Sequence, residues 1–498
     1  MKKAFQDHKR LLWIISMALI FLYSILLMPS PAISPPPAAT ALPFIWDQDN
    51  YWSYLESIYL DAKTIDEVSL SDLIQSELSE AEKLVDSCGQ SQIEPSSPLL
   101  YQIEKSFFEL SPHIAAQTDH LPELINLRNR LRTIIKNQSC FWDMNSPETR
   151  DRIYRLLFGT RTAVEEVILQ STTPLSSTMM KAEDVPSATP AAEFLGITIH
   201  SGDILVSRGG APTSALIARG NDYPGNFSHV ALVHVDKNSG NISIIESHIE
   251  RGVAIASVDE YLKDTKLRIL ILRLRSDSPK VAADPTLPHK AADLALQRAR
   301  CEHIPYDFEM DFHDNRRFFC SEVASDPYSQ LGVKLWEGIS HISSPGIRSW
   351  LAAFGVRHFE TQEPSDLEYD PQLTVVAEWY DPESLYKEHL DNVVIDVMIE
   401  GADAGEALGY DWYMLPIARI LKAYSVVVNL WGGIGPIPEG MNASAALKND
   451  HFSKKHAAIK KRLMAMADDF RRSRGYRPPY WELVKLGRFA KIEVDSTD

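Results

Sequence analysis

Four short runs of β-branched and aliphatic residues between positions 203 and 274 limit the kind of core that this chain can form. Turn residues separate the runs, which is typical of strands: Asp203–Val206, Val230–Val235, Ile242–Ile245 and Leu270–Leu274. A helical pattern follows at residues 289–302, and a second helix is expected to begin near Cys320. Strands followed by helices predict an α+β fold.

The N-terminal residues have the pattern of a secretion signal or a membrane anchor. The apolar run Leu11–Met28 follows a group of basic residues, Lys2, Lys3, Lys9 and Arg10. Its 18 residues are just long enough to span a bilayer. Small residues at 30–32 or 39–41 could form a cleavage site, so anchor and cleaved signal both stay open. The protein is predicted to be anchored in the inner membrane facing the periplasm, or secreted to the periplasm.

A cysteine at the expected start of a helix is the first candidate for chemistry. Cys320 follows Phe318 and Phe319 and precedes the expected helix. A helix N-terminus favours the thiolate through its dipole and its free N–H groups, and the same N–H groups could hold an oxyanion. Taken alone, Cys320 could equally be a small buried hydrophobic residue.

A histidine and a glutamate on the two strands of a predicted hairpin are the second candidate. If Val235 pairs with Ile242 across the turn, Glu246 lies opposite Ala231 on the face that His229 occupies. A carboxylate in this apolar strand needs a partner, and it could hold the imidazole of His229 as a base. His248, which lies opposite His229 in this register, is the weaker candidate because it would repel the imidazolium.

The order of these motifs resembles the YiiX/YebB-like family of circularly permuted papain-like cysteine hydrolases, which are related to the NlpC-type cell-wall peptidases. The motifs are Gly202–Leu205, Ser228–Val233, Ile245–Ser247, Gly252–Val253, Tyr306–Asp307 and Phe319–Glu322. The His motif precedes the Cys motif, as in the permuted branch. The resemblance implies that Cys320 is the nucleophile, His229 the base and Glu246 the third polar residue. Supporting or substrate-binding roles are assigned to Asp203, Tyr306, Asp307 and Ser321.

The resemblance covers about 140 residues of a chain of 498, which is long enough for several domains. We predict an N-terminal helical domain, a permuted papain-like (NlpC-type) domain and a helical C-terminal extension. The predicted boundaries are 1–43 for the signal or anchor and a Pro-rich tether, 44–170 for the helical domain, 171–193 for a linker, 194–385 for the hydrolase domain and 386–498 for the extension.

The expected function is that of an extracytoplasmic thiol hydrolase, of the amidase or peptidase type. The compartment favours peptidoglycan stem peptides as substrate. A lipid or acyl-ester substrate, or acyl transfer, is the alternative, because related permuted enzymes resemble acyltransferases and lipid hydrolases. A non-catalytic, membrane-anchored binding or scaffold protein is the alternative from another class. The net charge of −17 argues against a general nucleic-acid binder.

The remaining motifs predict neither a metal nor a cofactor. Cys301, His303 and Cys320 do not have the spacing of a standard zinc site. Cys88 and Cys140 could pair in an oxidising compartment, but the sequence does not decide this. The basic stretch at 454–477 is interpreted as a solvated helix face or, alternatively, as a contact with an anionic surface.

Overall fold

The computed structural model describes residues 2–28, 35, 41–171, 177–182 and 185–497, and for residues 2–12 it describes the backbone alone. Most of the predicted tether at 29–43, together with the predicted cleavage positions before residue 41, lies outside these residues. Part of the predicted linker at 171–193 lies outside them as well.

The described residues form eleven strands. They are β1 (Met179–Lys181), β2 (Ala191–Phe194), β3 (Ile197–His200), β4 (Ile204–Gly209), β5 (His229–Val235), β6 (Ile242–His248), β7 (Gly252–Ala256), β8 (Lys266–Leu274), β9 (Ser340–His341), β10 (Glu360–Thr361) and β11 (Leu373–Trp379). The four strands predicted from the sequence are β4, β5, β6 and β8, and all four are confirmed.

Seven of these strands form one antiparallel sheet in the order β1-β11-β8-β4-β5-β6-β7. β5 and β6 pair with Val235 opposite Ile242 and Ala231 opposite Glu246, which confirms the predicted register. The stretch predicted as a linker contributes β1 to this sheet, where Met180 pairs with Glu378. Sequence composition missed this strand because an edge strand of three residues has too few positions to show an alternating pattern.

The described residues also form seventeen α-helices. They are α1 (Lys2–Leu27), α2 (Asp49–Ala62), α3 (Glu67–Cys88), α4 (Pro98–Ala116), α5 (Leu121–Ser139), α6 (Pro147–Tyr154), α7 (Thr160–Gln170), α8 (Pro212–Arg219), α9 (Val258–Lys263), α10 (Pro279–Ala283), α11 (Leu287–Cys301), α12 (Glu322–Gln330), α13 (Pro345–Phe354), α14 (Pro382–Asp403), α15 (Leu415–Leu430), α16 (Ala443–Arg474) and α17 (Tyr480–Asp495). Helices and an antiparallel sheet together confirm the α+β class.

Helices α2 to α7 fill the region predicted as helical, and their apolar faces form one core. Tyr369, Tyr380 and Leu385 from the later part of the chain belong to the same core, so the N-terminal helices pack directly on the rest of the molecule. α14 begins as the sequence predicts, because the Asp381 side chain accepts hydrogen bonds from two backbone N–H groups of the first turn and Pro382 occupies the first helical position.

A group of buried charged side chains joins the N-terminal helices to the sheet and to α14. Arg161 of α7 donates to both carboxylate oxygens of Glu368, at 2.8 and 2.9 Å. Arg268 of β8 donates to Glu165 of α7 at 2.8 Å and to Glu388 of α14 at 2.6 Å. All five side chains, called here the buried ion network, are nearly inaccessible to solvent. Burial of these charges is tolerated because each has an opposite charge in hydrogen-bonding contact.

The basic stretch at 454–477 lies mainly in α16, and several of its charges are paired within the protein. Lys460 donates to Asp391 at 2.6 Å, Lys455 pairs with Glu406, and Arg462 donates to Glu493. These pairs favour the interpretation of a structural, partly solvated helix face over that of an anionic binding surface.

Two described segments are apolar and exposed. Residues Trp13–Leu27 of α1 form a short apolar helix, and Trp412–Leu430, which includes α15, is long and apolar enough to cross a membrane by length and composition alone. Most of the large side chains in both segments are exposed to solvent. All four cysteines are free, including Cys88 and Cys140.

The buried ion network predicts a large stability loss when one of its arginines is removed. Arg161→Met leaves the carboxylates of Glu165 and Glu368 buried with too little positive charge, so we expect the free energy of unfolding to fall by about 3–5 kcal/mol. Urea unfolding of the purified protein measures this loss. The matched control is Arg130→Met on α5, whose partners Glu82 and Asp86 are half exposed, and which should cost less than about 1 kcal/mol. Equal losses for the two variants would contradict the prediction.

Candidate active site

Cys320 lies between the first residues of β5 and the start of α12. Its Sγ is 3.8 Å from the carbonyl oxygen of Ser228, the residue that precedes His229. α12 begins two residues later at Glu322, which confirms the prediction of a helix start at this point. The side chain is buried, with 5% of its surface exposed. The backbone on both sides of His229 therefore forms one wall around the Cys320 thiol.

The segment 305–318 holds Cys320 from the other side. The Phe318 N–H donates to the Pro305 carbonyl at 3.0 Å, and the Asp307 N–H donates to the Phe318 carbonyl at 3.2 Å. The buried carboxylate of Asp307 accepts the N–H groups of Glu309, at 3.0 Å, and Asp311, which fixes the loop beyond it. Asp307 therefore has a structural environment that frames the site.

Tyr306 is the supporting residue that lies beside the segment carrying the cysteine. Burial raises the pKa of Tyr306 well above its ordinary value. The negative charge that Cys320 would have as a thiolate raises this pKa further. Tyr306 also pairs with Phe318, two residues before Cys320, in an isolated β-bridge. A neutral hydroxyl at this position can donate a hydrogen bond to a group that binds beside Cys320.

His229 and Glu246 are in direct contact, as the predicted register requires. His229 Nε2 lies 2.8 Å from Glu246 Oε2, across the strands β5 and β6. His248 is close as well: its Nε2 lies 3.0 Å from the other oxygen, Oε1, of the same carboxylate. The imidazole rings of His229 and His248 are 5.8 Å apart, so Glu246 lies between two histidines.

The electrostatics of this group favour a neutral imidazole beside an ionised carboxylate. Burial lowers the pKa of His229 below its ordinary value, although Glu246 acts in the opposite direction. Burial alone would raise the pKa of Glu246, but its contacts with His229 and His248 together hold that pKa well below the ordinary range. Nε2–H of His229 then donates to the carboxylate, which leaves Nδ1 with a free lone pair. This is the tautomer that a general base needs.

The thiol does not have the depressed pKa expected for a cysteine at a helix N-terminus. Burial raises the pKa of Cys320 to about 12 and outweighs the opposite effect of the Val230 N–H. The reason is that the free energy needed to remove a thiolate from water exceeds the stabilisation that the few nearby N–H groups provide. In this closed arrangement Cys320 is a thiol, and a base must remove its proton during the reaction.

The other two predicted supporting residues differ: a hydrogen bond from the Ser321 side chain lowers the pKa of the Cys320 thiol, an effect that burial outweighs, whereas Asp203 lies away from the thiol. The buried hydroxyl of Ser321 donates to the Gln362 carbonyl at 2.6 Å and joins the start of α12 to the segment 360–364. Asp203 lies at the other end of β4 from Ser207, the residue that pairs with His229. Its carboxylate accepts two hydrogen bonds from Arg273, both at 2.8 Å. Asp203 is therefore part of a structural ion pair remote from Cys320.

Two buried glutamates near Cys320 were given no role in the sequence analysis. Burial raises the pKa of Glu322 to about 9, and its carboxyl group accepts the Phe319 N–H at 2.9 Å. Burial also raises the pKa of Glu363 well above its ordinary value, and the charge of Glu363, when present, raises the pKa of Cys320. Glu322 stands in the Cys-Ser-Glu motif and could have been noticed, whereas Glu363 is about forty residues away and has no local signal.

Among the described residues, one group of three side chains could hold a metal ion. The ligand atoms of His234, His289 and Asp293 lie within 4.8 Å of one another. His234 Nε2 already contacts Asp293 at 2.8 Å. His234 is at the far end of β5 from His229, so this group is separate from Cys320. An apolar cavity of about 290 Å³ between α2, α4, α7, α14 and α17 is also lined by residues other than Cys320 and His229.

Comparison with known proteins assigns the domain that contains these residues. Residues 198–377 match a family of permuted papain-like amidase enzymes. The family is the YaeF/YiiX, or C92, family, which confirms for these residues the resemblance inferred from the sequence and places them in a class of hydrolases. No curated protein and no solved structure gives a significant match to the chain.

The contact between His229 and Glu246 predicts how three variants should differ in activity. Glu246→Ala removes the acceptor that fixes the imidazole, so kcat should fall by roughly ten- to a thousandfold. Glu246→Gln should retain more activity because its amide oxygen still accepts the hydrogen bond. His248→Ala is the matched control and should cost little. Steady-state kinetics on all three decide the point, and a larger loss for His248→Ala would contradict the orienting role of Glu246.

The pKa shifts of His229 and Cys320 predict the pH dependence of thiol alkylation. A neutral His229 can accept the thiol proton, so labelling of Cys320 by iodoacetamide should rise with pH through an acid limb below about pH 6.5. The rate should then stay level to about pH 9, because direct ionisation of the buried thiol occurs only at higher pH. Mass spectrometry follows Cys320, with the exposed Cys301 as internal control.

The variant His229→Ala separates this mechanism from simple thiol ionisation. Without the base, the rate of Cys320 labelling should no longer level off above about pH 6.5. It should instead increase about tenfold for each pH unit across the whole range, because only direct ionisation of the thiol remains. If the labelling rate of the unmodified protein rises with a midpoint near the ordinary thiol pKa of about 8.5, the prediction is contradicted.

Proposed function

We propose that this chain is a thiol hydrolase of the amidase type in which Cys320, His229 and Glu246 act together. Sγ of Cys320 attacks the carbonyl carbon while its proton moves to Nδ1 of His229. Collapse of the tetrahedral intermediate gives a thioester, and His229 returns the proton to the leaving amine. Water, activated by the same imidazole, then hydrolyses the thioester and regenerates the thiol.

One observation supports the proposal more than any other. His229 has a carboxylate at 2.8 Å on one ring nitrogen, and the backbone that carries it lies against the Cys320 thiol. A base with a fixed tautomer beside a nucleophile is the arrangement that nucleophilic catalysis requires. The family match over residues 198–377 supports the same class of reaction.

We further propose that the reaction takes place outside the cytoplasm. The basic N-terminal flank and the apolar helix α1 support membrane anchoring or export. In that compartment the amide bonds of peptidoglycan stem peptides are the first candidate substrate. Acyl lipids, whose amide or ester bond undergoes the same chemistry, are the second candidate, and the exposed apolar side chains of α15 favour them.

A non-catalytic scaffold protein is the competing proposal from another class. Such a protein would need neither an orienting carboxylate for His229 nor a thiol beside it. The presence of both groups in one buried site favours the enzyme.

The experiment that tests the proposal compares substrates and a nucleophile variant. The purified full-length protein is incubated with muropeptides and, separately, with acyl-amide and acyl-ester lipids. We expect hydrolysis of one class, with activity reduced at least about a thousandfold by Cys320→Ala because the covalent step is lost. Full activity of Cys320→Ala, or the absence of hydrolysis of every substrate, would contradict the proposed function. Cys301→Ala is the matched control and should keep full activity.

A further inference from the structure

Helix α15 turns its polar side chains toward the protein. Lys422 Nζ donates to the carbonyls of Pro438 and Glu439 at 2.7 and 2.6 Å. Ser425 Oγ accepts the Ile437 N–H at 2.9 Å, and Asn429 Oδ1 accepts the Gly435 N–H at 3.0 Å. Positions 422, 425 and 429 share one face of a helix. The chain that returns from α15 at residues 435–439 therefore covers the polar face.

The opposite face of α15 is apolar and exposed. It consists of Ile417, Ile420, Leu421, Tyr424, Val427 and Leu430, and it continues into Trp431 and Ile434. Ile420 is 62% exposed, Leu430 80% and Trp431 87%. These eight residues are called here the docking face. A helix on a water-soluble surface has the reverse arrangement, with apolar residues inside and polar residues outside.

The segment Trp412–Leu430, which includes α15, is long enough to cross a bilayer, but the two ends of α15 are fixed to the same body of protein. At the start, Leu415 packs with Ala443, the first residue of α16. After the end, Ile437 packs with Met441 and with Phe308 of the segment that holds Cys320. A helix whose two ends return to one globular body cannot span the membrane. It can lie in the plane of the lipid surface, with its apolar face in the acyl region.

The C-terminal end of α1 meets the middle of α15. Arg419 of α15 donates to the carbonyl of Ile25 at 2.8 Å and to that of Met28. The free carbonyls of a helix end are thereby satisfied. If α1 spans the membrane, it leaves the bilayer at α15, so the docking face lies at the same lipid surface. Trp412 and Trp431 flank α15, and tryptophan is enriched at such interfaces.

The docking face is connected to the Cys320 site by two layers of packed residues. Phe308 packs against Ile437 and Met441, which follow α15. Tyr306, two residues before Phe308, stacks edge-on against its ring with 5.0 Å between the centroids. Tyr306 in turn pairs with Phe318, two residues before Cys320, in an isolated β-bridge. The segment 306–308 thus lies between the thiol and the chain that emerges from the docking face.

We propose that the docking face inserts into the lipid surface beside the α1 anchor, and that Cys320 acts on acyl amphiphiles drawn from that leaflet. The substrate part of this inference rests on the proposed function, whereas the insertion does not. Insertion depends on apolar residues, because the two basic residues of α15 are engaged with carbonyl groups: Lys422 with those of Pro438 and Glu439, and Arg419 with those at the end of α1. It should therefore occur on zwitterionic lipid and change little with salt.

Site-directed spin labelling of the full-length chain tests the insertion. The background is Cys140→Ser with Cys301→Ser, because these are the exposed cysteines, while the two buried cysteines stay. Ile420→Cys receives a nitroxide, and the protein is reconstituted in phosphatidylcholine vesicles. We expect the label at position 420 to be more accessible to oxygen than to a water-soluble nickel reagent. The control Lys461→Cys, on an exposed position of α16, should show the reverse.

Three results would overturn the insertion. One is a water-like accessibility of position 420, equal to that of position 461. Another is dipolar broadening of the label at position 420, which would mean that the docking face is a contact between two copies of this chain. A strong loss of oxygen accessibility on addition of salt would also be incompatible with apolar insertion.

A kinetic comparison tests the substrate class. Ile420→Asp combined with Val427→Asp should lower turnover of a long-chain N-acyl amide in phosphatidylcholine vesicles by about tenfold or more, because insertion is lost. Turnover of a short-chain soluble N-acyl amide should be unchanged, since the variant leaves the site intact. Val68→Asp, at a 72% exposed position of α3, is the matched control. Equal turnover of the vesicle substrate by both variants would overturn this part of the inference.

The two proposals fail in different ways. If neither amide nor muropeptides are hydrolysed in a Cys320-dependent manner, the proposed function and the substrate class are both wrong, and the spin-label result still decides the insertion. If only the soluble amide and muropeptides are hydrolysed, the proposed function stands and the lipid substrate is wrong.

Discussion

Burial of opposite charges inside the molecule is the constraint on which the arrangement of its parts depends. The buried ion network joins α7, β8, α14 and the turn at Glu368. Asn226 extends it, because it accepts a hydrogen bond from Arg161 at 3.1 Å and donates one to Glu388 at 2.6 Å. Asn226 is three residues before His229. The network therefore fixes the backbone that brings His229 and the Ser228 carbonyl to the Cys320 thiol.

The hairpin β5–β6 and its register could be predicted from the sequence, because both depend on local patterns. The pairing of Val235 with Ile242 across a short turn and the alternation of side chains along two strands were sufficient to put Glu246 on the face of His229. The helix after Cys320 and the start of α14 at Asp381 also have local signals. A family resemblance then connected the Cys and His motifs, which lie about ninety residues apart in the sequence.

The rest of the site could not be predicted, because it depends on residues that meet only in the folded chain. Glu363 reaches the surroundings of Cys320 from a segment without a motif. Desolvation, which dominates the pKa of Cys320, is a property of packing and has no sequence pattern. The reversed orientation of α15 likewise depends on the returning segment at 435–439. From the sequence alone, α15 resembles any apolar core helix.

The segment that matches the amidase family ends at residue 377, before α14 begins. Arg268 lies inside this segment, but both of its carboxylate partners, Glu165 and Glu388, lie outside it. In a fragment with the family segment alone, the guanidinium of Arg268 would lose the two carboxylates that neutralise it in the buried ion network. The flanking helices are thus chemically inseparable from the segment that matches the amidase family, because they supply the charges that its buried arginine requires.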